Sequence, residues 1–366
     1  MKITAAVVRE AAQPFALEEL QLAEPQPDEV LVRLVAVGVC HSDVAARDQS
    51  LPIALPAVLG HEGAGIVEKV GSAVTKLAPG DKVVMTVAFC GECTNCKRGD
   101  VAYCEQGMAL NYGGKRLDGS PTICCGQDAV SGHFFGQSSF ATYAIANARN
   151  AIKVHSDADL TIAAPLGCGV QTGAGAVMRS LAAKPGRAFA VFGGGSVGLS
   201  AVMGARIQGC DPIIVIEPVA QRRALALEIG ATHAIDPAAG DVAEQIREIV
   251  ARGVDYIVDT TGVVPVIQAA QAALASHGAM VFLGVPKDME ATLPLSLIGF
   301  LISGATIKSV IEGDTDPESF IPELLNHYEH GRLPLDKLIA TYPFAKINEA
   351  IEDQLAGRVV KPVLLF

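Results

Sequence analysis

Four cysteines, Cys90, Cys93, Cys96 and Cys104, fall in the stretch "CGECTNCKRGDVAYC", separated by two, two and seven residues. Such spacing puts four sulfurs within reach of one tetrahedral ion, and soft thiolates favour Zn2+ or an iron–sulfur centre. A site closed by four protein ligands keeps no position for a substrate. Its expected role is structural, pinning a lobe that has little core of its own. A second set is dispersed: Cys40 in "GVCHSD", His61 in "GHEGAG" and Cys168 in "PLGCGVQTGAG". Cys40 and His61 each border an apolar strand and stand near a carboxylate, Asp43 and Glu62, able to orient a metal ligand. Two Cys and one His leave a fourth position open, which suits a Lewis-acid catalytic zinc. A lone Cys is equally a small buried hydrophobe, so spacing alone leaves this site and a chance set of core residues equally open.

A third set is Gly193, Gly195 and Gly198 in "VFGGGSVGLS". It follows the apolar strand "RAFAVF" and opens a helix, the context that gives a G-x-G-x-x-G match meaning. The glycines permit a tight turn, and a diphosphate can sit at the helix N-terminus beside Ser196, where free amides and the dipole attract it. Glu217 ends the next strand, 19 residues beyond Gly198. A carboxylate there accepts hydrogen bonds from ribose hydroxyls and repels a 2′-phosphate, so NAD is expected over NADP. Arg222 nearby partly offsets that repulsion.

These residues need two kinds of framework. Up to about residue 150 the chain reads as short β-rich segments punctuated by Gly and Pro, such as "DEVLVRLVAVGVC" and "LAPGDKVVMTV". Few helical periods occur there, so a partly open β-barrel is expected. From about Ala163 to Ile311, apolar strands alternate with helices, giving about six parallel strands of a doubly wound sheet. The helix-rich tail ending in "KPVLLF" is expected to return to the first domain. The boundaries are then 1–165 with 313–366 for the first domain and 166–312 for the second.

The 366 residues, 50% hydrophobic and 18% charged, are enough for two domains with separate cores. The net charge of −11 argues against a nucleic-acid or anionic-membrane surface. The chain shows no signal peptide and no apolar run of membrane-spanning length, which leads to an expectation of a cytoplasmic protein. Nine cysteines without a secretory signal point to metal ligation rather than disulfides. Cys124, Cys125 and Cys210 are read as structural or incidental.

With these three sets in one order, the chain resembles the zinc-containing alcohol dehydrogenases of the medium-chain dehydrogenase/reductase superfamily over its full length. "GHEGAGIVEKVG", the four-Cys lobe, "GCGVQTGAG" and "FGGGSVGLS" carry the resemblance. "FFGQSSFATYA", "GATHAIDPAA" and "SVIEGD" bring it nearest to the bacterial aryl-alcohol (benzyl alcohol) dehydrogenases. The resemblance implies a GroES-like β-barrel catalytic domain with a Rossmann domain, two zinc ions per chain, and NAD. It implies Cys40, His61 and Cys168 as catalytic-zinc ligands, Glu62 as a carboxylate that can approach the metal, and Asp43 as the group orienting the histidine. Ser42 then takes the alcohol's proton, and His41 and Lys361 meet the diphosphate. Thr172 and Val197 pack at the nicotinamide, whose carboxamide meets backbone near Val285 and Val310.

Family members often carry a histidine five residues after the first ligand Cys, as the last proton-relay group; Ala45 stands there. Glu217 replaces a commoner Asp, and Glu312 stands where some relatives are apolar, with no role assigned. The expected reaction is NAD-dependent oxidation of a primary, benzyl-type alcohol, in a homodimer or homotetramer. The alternative enzyme is a glutathione-dependent formaldehyde dehydrogenase, which needs cations for glutathione carboxylates. "GGKRLDGSPT" offers Lys115 and Arg116, both expected to face solvent. A non-enzymatic zinc-ribbon binding protein is the alternative of another class, opposed by the acidic charge and the Gly turn.

Overall fold

The computed structural model describes residues 1–125, 128–288 and 290–366, and statements of number or absence below concern those residues. They form two units. The first comprises Met1–Cys168, Asp316–Asn326 and Leu338–Phe366; the second comprises Gly169–Thr315 and His327–Lys337.

In the first unit the strand Glu29–Gly38 is the organising element. Its β-branched and aliphatic residues are buried along almost the whole length, as expected of a strand with packing on both faces. It pairs antiparallel with Glu62–Val70 on one side and with the C-terminal strand Lys361–Leu365 on the other. The register places Gly38 opposite both Glu62 and Val363. The strand Tyr143–Asn147 also joins it, within a seven-stranded sheet. A five-stranded sheet built on Lys2–Val8 and Ala16–Leu22 completes the unit. Its main core gathers Val7, Leu20, Val37, Leu59, Phe134, Phe140 and Leu364. The C-terminal strand thus returns to the N-terminal sheet, as the tail's β character leads one to expect.

The second unit is a six-stranded, all-parallel sheet. In spatial order its strands are His233–Ile235, Ile213–Ile216, Phe189–Phe192, Val254–Asp259, Leu274–Phe282 and Thr306–Ser309. The chain therefore starts in the middle, runs to one edge, returns and runs to the other. This is the doubly wound order whose switch point lies beyond the end of Phe189–Phe192. All four residues of that strand are buried, which is why it reads as a continuous apolar run. One boundary differs from expectation: His327–Lys337 belongs with the second unit. Leu333 and Leu335 are buried there, and Lys337 pairs with Glu228. No single helix is long and apolar enough to cross a membrane.

Candidate active site

Cys40 stands two residues past the strand Glu29–Gly38 and caps the helix His41–Arg47. Its amide donates to Asp43 Oδ2 at 2.9 Å. The other Asp43 oxygen accepts from the Gly60 amide at 3.0 Å and lies 2.9 Å from His61 Nδ1. A fully buried carboxylate therefore fixes the imidazole, and the bond at Nδ1 leaves Nε2 as the free ring nitrogen. Nε2 is buried and has no hydrogen-bond partner. Such an orphan costs about 1–3 kcal/mol unless something meets it. Cys40, His61, Glu62 and Cys168 each bring a ligand atom, and all four atoms lie within 4.8 Å of one another. Two sulfurs, one imidazole nitrogen and a nearby carboxylate form a donor set that fits zinc. The Cys40 thiol is held well below the usual thiol range. Its hydrogen bond with Cys168 is the main cause, and the charges of His61 and Lys361 add to it against the effect of burial.

The second cluster also closes. The sulfurs of Cys90, Cys93, Cys96 and Cys104 lie within 4.8 Å of one another. Backbone amides point at them: Cys93 N donates to Cys90 Sγ at 3.3 Å, and Cys90 N donates to Cys104 Sγ at 3.3 Å. Amides of Cys96 and Glu105 converge on Cys93, and they lower its thiol to about 6. Such N–H donors stabilise the thiolate form that a metal requires. The lobe's apolar support is little more than Phe89 and Leu110 beside the cysteines. A four-sulfur ion would therefore supply the cohesion that packing does not.

Glu62 and Lys361 form a buried pair next to the first cluster. Lys361 Nζ donates to Glu62 Oε1 at 2.9 Å, to Oε2 at 2.8 Å and to the Val39 carbonyl at 3.1 Å. An ammonium has three donors, and here all three are engaged. Lys361, expected at the cofactor diphosphate, is buried with its ammonium engaged by Glu62 and the Val39 carbonyl. Ser42 Oγ is 3.9 Å from Cys40 Sγ, whereas His41 is exposed on the helix. Ala45 contributes only its carbonyl, which accepts from Ser50 Oγ and the Leu51 amide.

Residues that the sequence reading did not single out complete the surroundings. The Phe135 ring stacks on His61 at 4.5 Å and 23°, with Phe134 edge-on to the same imidazole at 5.6 Å. Tyr112 meets Phe135 edge-on at 5.2 Å. Phe135 reaches this position through a left-handed backbone, φ +50°, an unusual state for a bulky residue that marks a constrained site. Gln137 is buried, accepting from Gly63 N and donating to the carbonyls of His61 and Thr86. The paired Phe and Gly of "FFGQSSF" hinted at a tight aromatic turn, but nothing local tied it to His61.

In the second unit the strand Phe189–Phe192 runs into Gly193 (φ +98°) and then the helix Ser196–Ile207. A Cβ at Gly198 would stand 1.8 Å from the Gly193 carbonyl, so the turn admits only glycine there. A cavity of about 590 Å3 beside it is lined by Gly193, Gly195, Glu217, Val219 and Arg222, among others. Glu217 is buried, one oxygen accepting from Gly194 N at 2.6 Å and the other from Val219 N at 2.8 Å. Arg222 Nε and Ser196 Oγ are buried without partners. Ser196, Val197, Gly198, Thr172 and Val285 do not line this cavity. Val310 is buried and Val285 is exposed.

Glu312 is buried. Its carboxylate accepts from Gln171 Nε2 at 2.6 Å, and its carbonyl accepts from Thr315 Oγ1. Arg116 corrects a further expectation, being buried in a bidentate pair with Glu29 while Lys115 is exposed. Cys210 is a buried free thiol and Cys124 a half-buried one. The Cys125 side chain lies outside the described residues.

Residues 26–156 match the alcohol dehydrogenase GroES-like domain family and residues 196–328 the zinc-binding dehydrogenase family. The chain is 47% identical to a geraniol dehydrogenase of Castellaniella defragrans, covering 99% of this chain and 97% of that one. A crystal structure of an alcohol dehydrogenase zinc-binding domain protein from Burkholderia ambifaria superposes with a TM-score of 0.98. It is 48% identical and covers 100% and 99% of the two chains. The benzyl alcohol dehydrogenase of Acinetobacter calcoaceticus gives 0.97 at 40% identity, with the same coverage.

Proposed function

This chain belongs to the zinc-containing alcohol dehydrogenases of the medium-chain dehydrogenase/reductase superfamily, and from that membership we propose that it oxidises a primary, benzyl-type alcohol to its aldehyde, reversibly, with NAD as the hydride acceptor. The observation that carries the substrate class is the aromatic cluster that Phe135, Phe134 and Tyr112 form against the ligand His61. An aromatic ring gains about 0.5–1.5 kcal/mol from stacked or edge-on contacts beyond its area burial. The names of the benzyl alcohol and geraniol dehydrogenases support the class, since both alcohols carry unsaturation next to the carbinol carbon. The glutathione alternative loses support because Arg116 is committed to Glu29.

When bound, zinc supplies Lewis acidity to the alcohol oxygen and the dinucleotide supplies the hydride acceptor. Cys40, His61 and Cys168 would hold the ion, and Asp43 fixes the His61 ring through Nδ1, leaving Nε2 to serve as the ligand. Ser42 accepts the alcohol's proton. With Ala45 beyond it, the next group of this chain able to take the proton would be the exposed His41, with solvent as the alternative. Each Glu217 oxygen accepts one backbone N–H and retains a lone pair for a ribose hydroxyl. The same fixed carboxylate disfavours a 2′-phosphate. Amides of the Gly193–Gly198 turn would receive the diphosphate. Thr172 and Val197 pack at the nicotinamide, and backbone near Val285 and Val310 meets its carboxamide.

Initial rates with NAD+ and benzyl alcohol, geraniol and cyclohexylmethanol test the reading. The kcat/KM for benzyl alcohol is expected to exceed that for cyclohexylmethanol by about tenfold or more. Equal use of the saturated alcohol would remove the aromatic class. Geraniol well ahead of benzyl alcohol would reassign the substrate to terpenoid allylic alcohols. The assembly belongs to the same proposal: a homodimer or homotetramer joined at the sheet edge Thr306–Ser309. The helix Leu297–Ser303 beside it exposes Leu297, Ile298, Leu301 and Ile302.

A further inference from the structure

We propose that Gly38 and Lys361 form a socket that holds the Glu62 carboxylate out of the metal coordination sphere and thereby keeps the fourth metal position open for substrate. The proposal rests on the assignment of Cys40, His61 and Cys168 as catalytic-zinc ligands.

Glu62 is the unexplained member of its cluster. Its carboxylate lies within 4.8 Å of both cysteine sulfurs and the histidine nitrogen. Zinc accepts carboxylate oxygen as well as imidazole nitrogen, and a fourth protein ligand would close the site as four thiolates close a structural one. Something must therefore hold Glu62 back.

Lys361 supplies the attraction. Its ammonium forks onto both Glu62 oxygens and spends its third donor on the Val39 carbonyl. That carbonyl also accepts from Gln354 Nε2 at 3.0 Å, so the ammonium is anchored on a fixed point rather than following the carboxylate.

Gly38 supplies the room. It is the direct cross-strand partner of Glu62 on one side and of Val363, two residues from Lys361, on the other. A Cβ at Gly38 would lie 2.0 Å from Glu62 Oε2, and its three nearest atoms would all belong to Glu62. The backbone there does not adopt a positive φ, so alanine is permitted conformationally. What it collides with is a movable side-chain end. Filling the socket should therefore push the carboxylate away, and the metal ligands are its near polar neighbours.

The experiment follows zinc transfer from the purified, zinc-loaded protein to a colorimetric chelator, with benzyl alcohol turnover measured alongside. Wild-type protein should hold zinc at both clusters, and the release phase that Cys168→Ser abolishes is the catalytic one. In Gly38→Ala that phase should slow about tenfold while turnover falls by a similar factor. General damage to the site would instead speed release. Gly38→Ala/Glu62→Ala should return both readings to those of Glu62→Ala alone. An unchanged or faster phase in a folded Gly38→Ala protein, or a double variant as impaired as Gly38→Ala, would overturn the socket. Should Gly38→Ala fail to fold, Lys361→Met decides: slower release supports the proposal and unchanged or faster release overturns it. A wild-type protein holding zinc only at the four-Cys lobe would contradict the ligand assignment itself, a result distinct from failure of the socket.

Discussion

Asp43 makes three contacts with the site's scaffold, to Cys40 N, Gly60 N and His61 Nδ1. Asp43→Asn keeps the shape but weakens the hold on the imidazole, and zinc affinity at that cluster should fall about 10–100-fold. Metal titration of the apoprotein measures this. Glu217→Ala should erode the preference for NAD over NADP by about tenfold, read from kcat/KM for the two cofactors. His133, which is not among the cluster's ligands, offers a pH test. Burial presses its imidazole down to about 4, against an unfolded value near 6.5. The unfolded chain thus binds more protons between those values, and stability should fall as pH drops from about 6.5 toward 4. His133→Asn should flatten that part of a denaturation-midpoint profile. At this scale the ligand types were legible in the sequence because Cys and His beside carboxylates suggest metal chemistry. The inward turn of Lys361 was not, since it depends on the strand register that sets Gly38 between Glu62 and the C-terminal strand.

The doubly wound sheet was readable from its centre, because Phe189–Phe192 and Ile213–Ile216 are uninterrupted apolar runs, each followed by a helix. The glycine turn follows the same logic. Gly198→Ala places a methyl 1.8 Å from where the Gly193 carbonyl now sits. NAD binding should be lost, by calorimetry, while zinc content stays that of the wild type. The stretch His327–Lys337 was misassigned because sequence pattern shows that a segment is helical or apolar, not which core receives Leu333 and Leu335. The aromatic turn at Phe134–Gly136 was missed for a related reason. Its meaning lies in a ring contact with a residue more than seventy positions away.

For the whole molecule, an edge strand beside a helix with four exposed apolar side chains is an unlikely end state for a stable monomer. Sedimentation should show a dimer or tetramer, and Leu301→Glu/Ile302→Glu should shift it toward monomer; a monomeric wild type would contradict the assembly. The acidic net charge of −11 fits a small-molecule enzyme whose cationic groups are local, such as Arg222 at the cavity beside Glu217. One chain is expected to carry both an open catalytic zinc site and a closed structural one. Zinc content per chain, determined on a preparation that reduces NAD+ with benzyl alcohol, tests it most directly. The expected value is about two, one for each cluster. About one zinc per chain with turnover intact would contradict it.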